Sequence, residues 1–460
     1  MTDNTSTAQG LARPATVPFG TAFGFWLKMG FISFGGPAGQ IAIMHQELVE
    51  NRRWISEQRF LHALNFCMLL PGPEAQQLAI YIGWLMHKTW GGIVAGLLFV
   101  LPSLFILILL SWFYIAFGDV PWVAGVFYGI KPAVTAIVLQ AAHRIGSRAL
   151  KNWLLGVLAG LSFVAIFAFD IPFPAIVATA AAMGYVGGRV APERFKTGGG
   201  HGKANKSYGP ALIDDDTPRL AHTGFRWPRL VVLVVAGGLM WLLPMAWLAM
   251  QYGWDNALTQ MGWFFTKAAL LTFGGAYAVL PYVYQGAVEH YHWLLPQQMI
   301  DGLALGETTP GPLIMVVTFV GFVAGWTQAF LGADALFLAG MVAAIVVTYF
   351  TFLPGFLLVL AGGPMIESTH GNLKFTAPLV AITAAVVGVI LNLALFFAWH
   401  TFWPQGWAGV FDGFSALLSA LALLALLRYK IGVIPVIATA GVLGLAFTFL
   451  KPWLVVVLGA

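Results

Sequence analysis

Four places in this chain interrupt apolar runs that would otherwise read as continuous membrane helices: Phe34-Gly35-Gly36-Pro37, Pro71-Gly72-Pro73, Phe273-Gly274-Gly275 and Pro310-Gly311-Pro312. Proline removes a backbone donor and glycine gives up helix propensity, so a helix must break at each. In lipid a broken helix leaves polar backbone groups unpaired. That is tolerated only where protein buries them or where they line a water-filled cavity. Four breaks in two matching pairs therefore point to a binding site within the membrane, as in transporters built on discontinuous helices.

A membrane setting follows from composition. Of 460 residues, 59% are hydrophobic and 9% charged, with apolar runs over nearly the whole length, so the expected class is an all-α polytopic membrane protein. The polar residues 1–18 precede a first apolar run without a cleavage site, and that run reads as a retained segment. One cysteine, Cys67, allows neither an intrachain disulfide nor a cysteine-based metal site. His45, His62 and His143 lack ligand spacing, and His290-Tyr291-His292 before Trp293 reads as an interface anchor, so no metal is expected. No nucleotide-binding loop, redox-cofactor motif or nucleic-acid motif occurs, and no nucleophile-base constellation lies within the spans. Neither a cofactor nor an enzymatic activity is expected.

The chain repeats itself. From Phe25 to Pro73 it recurs without gaps at an offset of 239: Lys28 meets Lys267, Phe34-Gly35-Gly36 meets Phe273-Gly274-Gly275, Glu50 meets Glu289, Trp54 meets Trp293, and Pro71-Gly72-Pro73 meets Pro310-Gly311-Pro312. Such a register identifies a duplication. The expected organisation is a tail (1–18), a first repeat (19–189), a solvated linker (190–229) with a Gly198-Gly199-Gly200 tract and an Asp214-Asp215-Asp216 triplet, a linking helix (230–250) and a second repeat (251–460). Segments such as 57–70 and 74–87 are about 21 Å long as helices, short of a hydrocarbon core of roughly 30 Å, and read as half-helices of hairpins, re-entrant or fully spanning. With the linker and N-terminus placed in the cytoplasm, all but four of the 23 Lys and Arg fall inside; Lys28, Lys131 and Lys267 lie within apolar segments and Lys451 outside. The single span 230–250 then inverts the second repeat, the build of secondary transporters.

Within the spans, Lys28 and Lys267 are the sharpest signal, because a cation in lipid costs roughly 3 kcal/mol and needs a partner or water. Each lies two turns before a Gly-Gly break. An ammonium beside the free N–H groups of a broken helix suits an anion; the bland alternative is snorkelling, or pairing with Glu74 or Glu307. The candidate substrate ligands are Lys28, Ser33, Gly35, Gly36, Gly72, Lys267, Thr272, Gly274, Gly275, Thr309 and Gly311. Small hydroxyl residues such as Ser33 and Thr272 also serve as packing contacts. Glu74, Gln77 and Glu307 are candidates for coupling or gating, although Glu74 equally suits a plain helix start. Arg52, Arg53 and Arg59 would form a cytoplasmic vestibule that concentrates anions.

These motifs together, Phe34-Gly35-Gly36-Pro37, Leu70-Pro71-Gly72-Pro73-Glu74-Ala75-Gln76-Gln77, Thr272-Phe273-Gly274-Gly275 and Thr309-Pro310-Gly311-Pro312, resemble the chromate ion transporter family in its long form with two homologous halves. The resemblance implies export of chromate across the bacterial inner membrane and chromate resistance, with sulfate as a similar tetrahedral dianion. Import of sulfate and passive anion conduction are the alternatives, and a homodimer is compatible with either. The second Gly-Gly pair is followed by Ala276 where the first has Pro37, so the halves need not contribute equally.

Overall fold

The structure, a computed structural model, describes residues 13–195, 208–217, 220, 222–369 and 376–458; residues 1–12, the Gly198-Gly199-Gly200 tract and Lys374 lie outside it. The described chain is a bundle of helices broken where proline and glycine demand it. Helix α1 (Phe19–Ile32) turns at Gly35 into α2 (Gly36–His45), which runs on as a π-helical turn, Gln46–Asn51. Ser56 then caps α3 (Glu57–Cys67), its side chain accepting from the Arg59 N–H. Helix α4 (Glu74–Phe117) starts immediately after Pro71-Gly72-Pro73.

Helix α4 folds back on itself at His87 and Lys88, where Lys88 adopts φ 58°. Its short arm (74–86) lies along its long arm (89–117), and glycines make that approach close. A Cβ on Gly83 would meet the Gly91 carbonyl at 2.5 Å, and one on Gly92 the Ile80 carbonyl at 2.9 Å. The first half continues through α5 (Pro121–Ala149), α6 (Trp153–Phe169) and α7 (Phe173–Val190), and α8 (Trp227–Tyr252) follows.

The order then recurs: α9 (Ala257–Leu271), α10 (Ala276–Tyr284) with a π-helical turn Gln285–His290, α11 (Pro296–Thr308), a 3-10 turn Leu313–Met315 leading into α12 (Val316–Gln328), α13 (Leu336–Thr369), α14 (Thr376–Phe402), α15 (Gly413–Leu427) and α16 (Val433–Leu458). The π turns begin at Gln46 and Gln285, and the left-handed residues after them are Arg53 and His292, both at the offset of the sequence repeat. Among the described residues six helices, the folded α4 included, are long and apolar enough to cross a membrane. α1, α3, α9 and α11, at about 1.5 Å per residue, are not.

The halves interleave. α5 packs on α14, α15 and α16, while α14 packs on α5, α6 and α7; α4 packs on α1, α12 and α13. A large apolar core takes in the second-half broken helices together with α5 and α14. A separate, smaller core holds α1, α3 and the short arm of α4. One part of the linker differs from the solvated stretch expected from its composition. Residues 208–217 lie against the first half, where the Leu212 N–H donates to Arg53 O (2.9 Å), the Ile213 N–H to Trp54 O (3.0 Å) and the Ser56 N–H to Ile213 O (3.0 Å). Ala211 and Ile213 are buried there, and apolar burial outweighs the polar composition around them.

Candidate functional site

In a Pro-Gly-Pro turn only the glycine carries an N–H, and the end of a broken helix leaves carbonyls without partners. The structure satisfies the two needs across the halves. The Gly72 N–H donates to Thr272 O at 2.8 Å, and the Gly311 N–H donates to Ser33 O at 2.8 Å. Each Pro-Gly-Pro turn is thus bonded to the residue before the Phe-Gly-Gly break of the other half. All four breaks meet at one crossing, packed against the long arm of α4, where a Cβ on Gly311 would meet the Ser103 Cβ at 2.7 Å and Phe99 O at 3.7 Å.

Four helical segments begin at this crossing, at Gly36, Glu74, Ala276 and Leu313. Their first-turn N–H groups have no intrahelical partner and carry the positive ends of the helix dipoles. Around them lie polar side-chain atoms that are buried and unpartnered among the described residues: Ser33 Oγ, Gln40 Oε1, Gln77 Oε1, Ser103 Oγ, and both Gln76 Oε1 and Nε2. All five residues are 0% exposed. Buried polar groups are ordinarily hydrogen-bonded, so five such residues around one crossing mark a place built for a polar guest. The other amide atoms brace the loops: Gln40 Nε2 donates to Gly311 O, and Gln77 Nε2 to Pro71 O at 2.7 Å.

The expected residues divide into three groups. Ser33, Gly35, Gly36, Gly72, Glu74, Gln77, Thr272, Gly274, Gly275, Glu307, Thr309 and Gly311 are brought together at the crossing or beside it. Of these, the Gly72 and Gly311 N–H groups are committed to joining the halves. The hydroxyl protons of Thr272 and Thr309 go to Ala268 O (2.7 Å) and Gly306 O (3.2 Å) in their own helices. Glu74 opens α4 without a hydrogen-bond or ion-pair partner among the described residues.

The second group is the two lysines. Lys28 is on the exposed side of α1, and its charge acts on Glu47. Lys267 is half-buried, with Nζ 5.5 Å from the centroid of the Trp263 ring. Among the described residues neither has an ion-pair partner. The third group, the vestibule arginines, is engaged by the protein. Arg52 Nε pairs with Glu47 Oε2 at 3.2 Å and lies over the rings of Phe25 and Trp54. Arg53 donates to Pro210 O at 3.5 Å, and Arg59 pairs with Glu367 at 3.0 Å.

One cation near the crossing is absent from the expected set. Arg144 of α5 reaches over the ring of Tyr277, Cζ 5.9 Å from its centroid, and its charge acts on Glu307. Tyr277, just past Gly275, donates its hydroxyl to the buried Glu307, four residues before Gly311. In the sequence Arg144 passes for one more positive-inside residue. Gln40 and Ser103 have a weak signal, being lone polar residues within apolar stretches.

Known proteins share this architecture's sequence. The chromate transporter family model matches residues 20–185 and 259–445, once in each half. The chain is 31% identical over 439 residues to a chromate transport protein of Pseudomonas aeruginosa, covering 94% of this chain and 93% of the relative. It is 30% identical over 407 residues to the chromate transport protein of Cupriavidus metallidurans, covering 88% and 87%. A probable chromate transport protein of Synechococcus elongatus is 29% identical over 368 residues, covering 80% and 81%. No solved structure matches. With its family model matched in both halves, this multi-pass membrane chain belongs to the chromate transporter family.

Proposed function

We propose that the protein exports chromate across the bacterial inner membrane, conferring chromate resistance, and that the dianion is held at the crossing of the four broken segments. The observation that carries this reading is the reciprocal pairing of Gly72 with Thr272 and Gly311 with Ser33 amid buried, unpartnered polar atoms. A tetrahedral dianion has only acceptors to offer. The donors available to it here are the backbone N–H groups at the Gly35-Gly36 and Gly274-Gly275 breaks and at the start of α4, the Ser33 and Ser103 hydroxyls and Gln76 Nε2, whereas the unpartnered amide oxygens of Gln40, Gln76 and Gln77 are acceptors and do not ligate it.

In this reading Gly72 and Gly311 shape the site, with Thr272 and Thr309 securing the helix ends beside them. Arg144, over the Tyr277 ring and acting on Glu307, supplies a full positive charge beside them. Lys28, Lys267 and Arg53 add positive potential along the approach, while the charges of Arg52 and Arg59 are matched by Glu47 and Glu367. The two halves form inverted repeats, with the N-terminus and linker cytoplasmic as the distribution of Lys and Arg favours. Moving a dianion out of a cell that is negative inside is downhill by about 4.6 kcal/mol per 100 mV, so export needs no coupling ion.

The test is uptake of labelled chromate into inverted membrane vesicles under an imposed inside-positive potential, with sulfate as competitor. Saturable accumulation driven by potential alone is expected. Accumulation that requires a pH gradient would replace the electrogenic reading with proton coupling and direct attention to Glu74 and Glu307. Accumulation of sulfate in place of chromate would reassign the substrate.

A further inference from the structure

Two buried carboxylates outside the crossing are each held by a cation and a tyrosine on other helices. Glu367 of α13 pairs with Arg59 of α3 (Nη1 to Oε2, 3.0 Å) and accepts from the Tyr81 hydroxyl on the short arm of α4 (2.5 Å). Asp301 of α11 pairs with Lys131 of α5 (3.5 Å) and accepts from the Tyr114 hydroxyl on the long arm of α4 (2.8 Å). The carboxylate side chains are 8% and 3% exposed.

Helix α4 serves as a ruler for their positions. Gly92 and Gly96 pack on Ile80, which places Tyr81 level with residues near 94 of the long arm, and Gly311 packs on Ser103 and Phe99, which places the crossing near residue 101. At about 1.5 Å per residue, Tyr81 lies roughly 10 Å to one side of the crossing and Tyr114 roughly 20 Å to the other. One network therefore stands on each side of the site. Each joins a half-helix that ends at the crossing, α3 or α11, to a long helix beside it. The equivalence is of place and not of residue, since the half-helix contributes the cation Arg59 on one side and the carboxylate Asp301 on the other.

A buried ion pair stabilises a fold poorly compared with apolar packing of the same volume, yet removing one partner is strongly unfavourable. That asymmetry suits a latch that is either fully made or fully exchanged for water. We infer that Arg59–Glu367–Tyr81 and Lys131–Asp301–Tyr114 are the two gates of the transporter, both shut in this structure, and that one must open for an anion to reach the crossing from its side. The inference rests on the crossing as the anion's site, but its test needs no substrate. On one side the linker bears on the gate as well: Arg59 Nη2 donates to Thr217 O at 3.4 Å.

Cys67 is the only cysteine, so a Cys67→Ala chain carrying Ser103→Cys has a single thiol at the crossing. Its modification by a membrane-impermeant thiosulfonate reagent is followed in full-length protein in right-side-out and in inverted vesicles. Glu367→Gln should speed modification from one face by about tenfold, the scale of a lost charged hydrogen bond, and Asp301→Asn from the opposite face. Tyr81→Phe and Tyr114→Phe, which leave both charges in place, should give smaller accelerations from the same two faces. Acceleration from the same face by both carboxylate variants, or from neither by all four, overturns the gates. Opposite-face acceleration together with no chromate movement by the unsubstituted protein, whose Ser103 is intact, would keep the gates and reject the substrate.

Discussion

The two pairs of broken helices share a sequence pattern but not an environment. Every residue of α10 is buried, whereas in α2 only Gln40 and Met44 are. The second pair is continuous with the main core around α5 and α14; the first has its own smaller core and is clasped from outside by residues 208–217 of the linker. Proline opens α2 at Pro37, while Ala276 opens α10. The second pair is thus embedded scaffold and the first is a peripheral unit braced at its surface. Duplicated motifs build one crossing, and their packing assigns them different mechanical parts.

The largest effects should follow from disturbing the crossing, and they should be unequal. Gly311 has φ +100°, and an added Cβ would meet the Ser103 Cβ on the buried face of α4. Gly72 has φ +123°, but there an added Cβ would meet the far end of the flexible Gln77 amide. Both substitutions strain the backbone, and only one also collides with an embedded helix. Gly311→Ala is expected to abolish vesicle uptake of chromate and Gly72→Ala to reduce it severalfold. The double variant Gly311→Ala/Ser103→Gly should recover part of the activity. Equal losses at the two glycines would contradict the division into scaffold and peripheral unit.

How far the molecule could be read from its sequence follows the same line. The breaks and the helical class were legible because proline, glycine and apolar runs act locally. The bonding of Gly72 to Thr272 was not, since a repeat does not say which copy touches which. Nor was the fold-back at Lys88, which depends on Gly83, Gly91 and Gly92 approaching across the arms of α4. Arg144 was hidden because one residue can satisfy the topological charge bias and still reach Tyr277. The Asp-rich linker segment was misread as solvated because a few buried residues, Ala211 and Ile213, decide its place.

Charge offers the next comparison, with intermediate effects. Arg144 has no charged equivalent beside the first Pro-Gly-Pro turn, where Met68 occupies the position matching Glu307. Arg144→Gln should lower chromate uptake by about tenfold, on the scale of one charge-assisted hydrogen bond. Lys267→Ala should cost severalfold, because Lys267 is half-buried beside Trp263 and screened less than an exposed group. Lys28→Ala should cost about twofold at low ionic strength and nothing measurable in high salt, as expected of an exposed charge. Uptake in 20 and 500 mM salt, on the order of 21 and 4 Å of screening length, separates the three. A Lys28 effect that persists undiminished in high salt would place that ammonium at the substrate and make the two halves electrostatically equal.

The smallest effect on transport should come from the linker clasp, which belongs to the first half alone. Ile213 is buried against the first-half loop and forms a parallel bridge with Ile55. Ile213→Asp would place a charge in that apolar contact and release the segment, weakening the hold of Thr217 O on Arg59. The broken helices themselves are untouched, so chromate uptake should change by less than about twofold, within the range of a surface contact. Limited proteolysis of inverted vesicles should show the difference instead, with faster cleavage between residues 208 and 217 in the variant. If the clasp only covers the surface, Arg59–Glu367 stays shut and thiol modification at position 103 is unchanged. If the clasp holds that gate, modification rises from the face that Glu367→Gln exposes, and no counterpart change appears at the Asp301 gate, which has none of the described linker residues bonded to it.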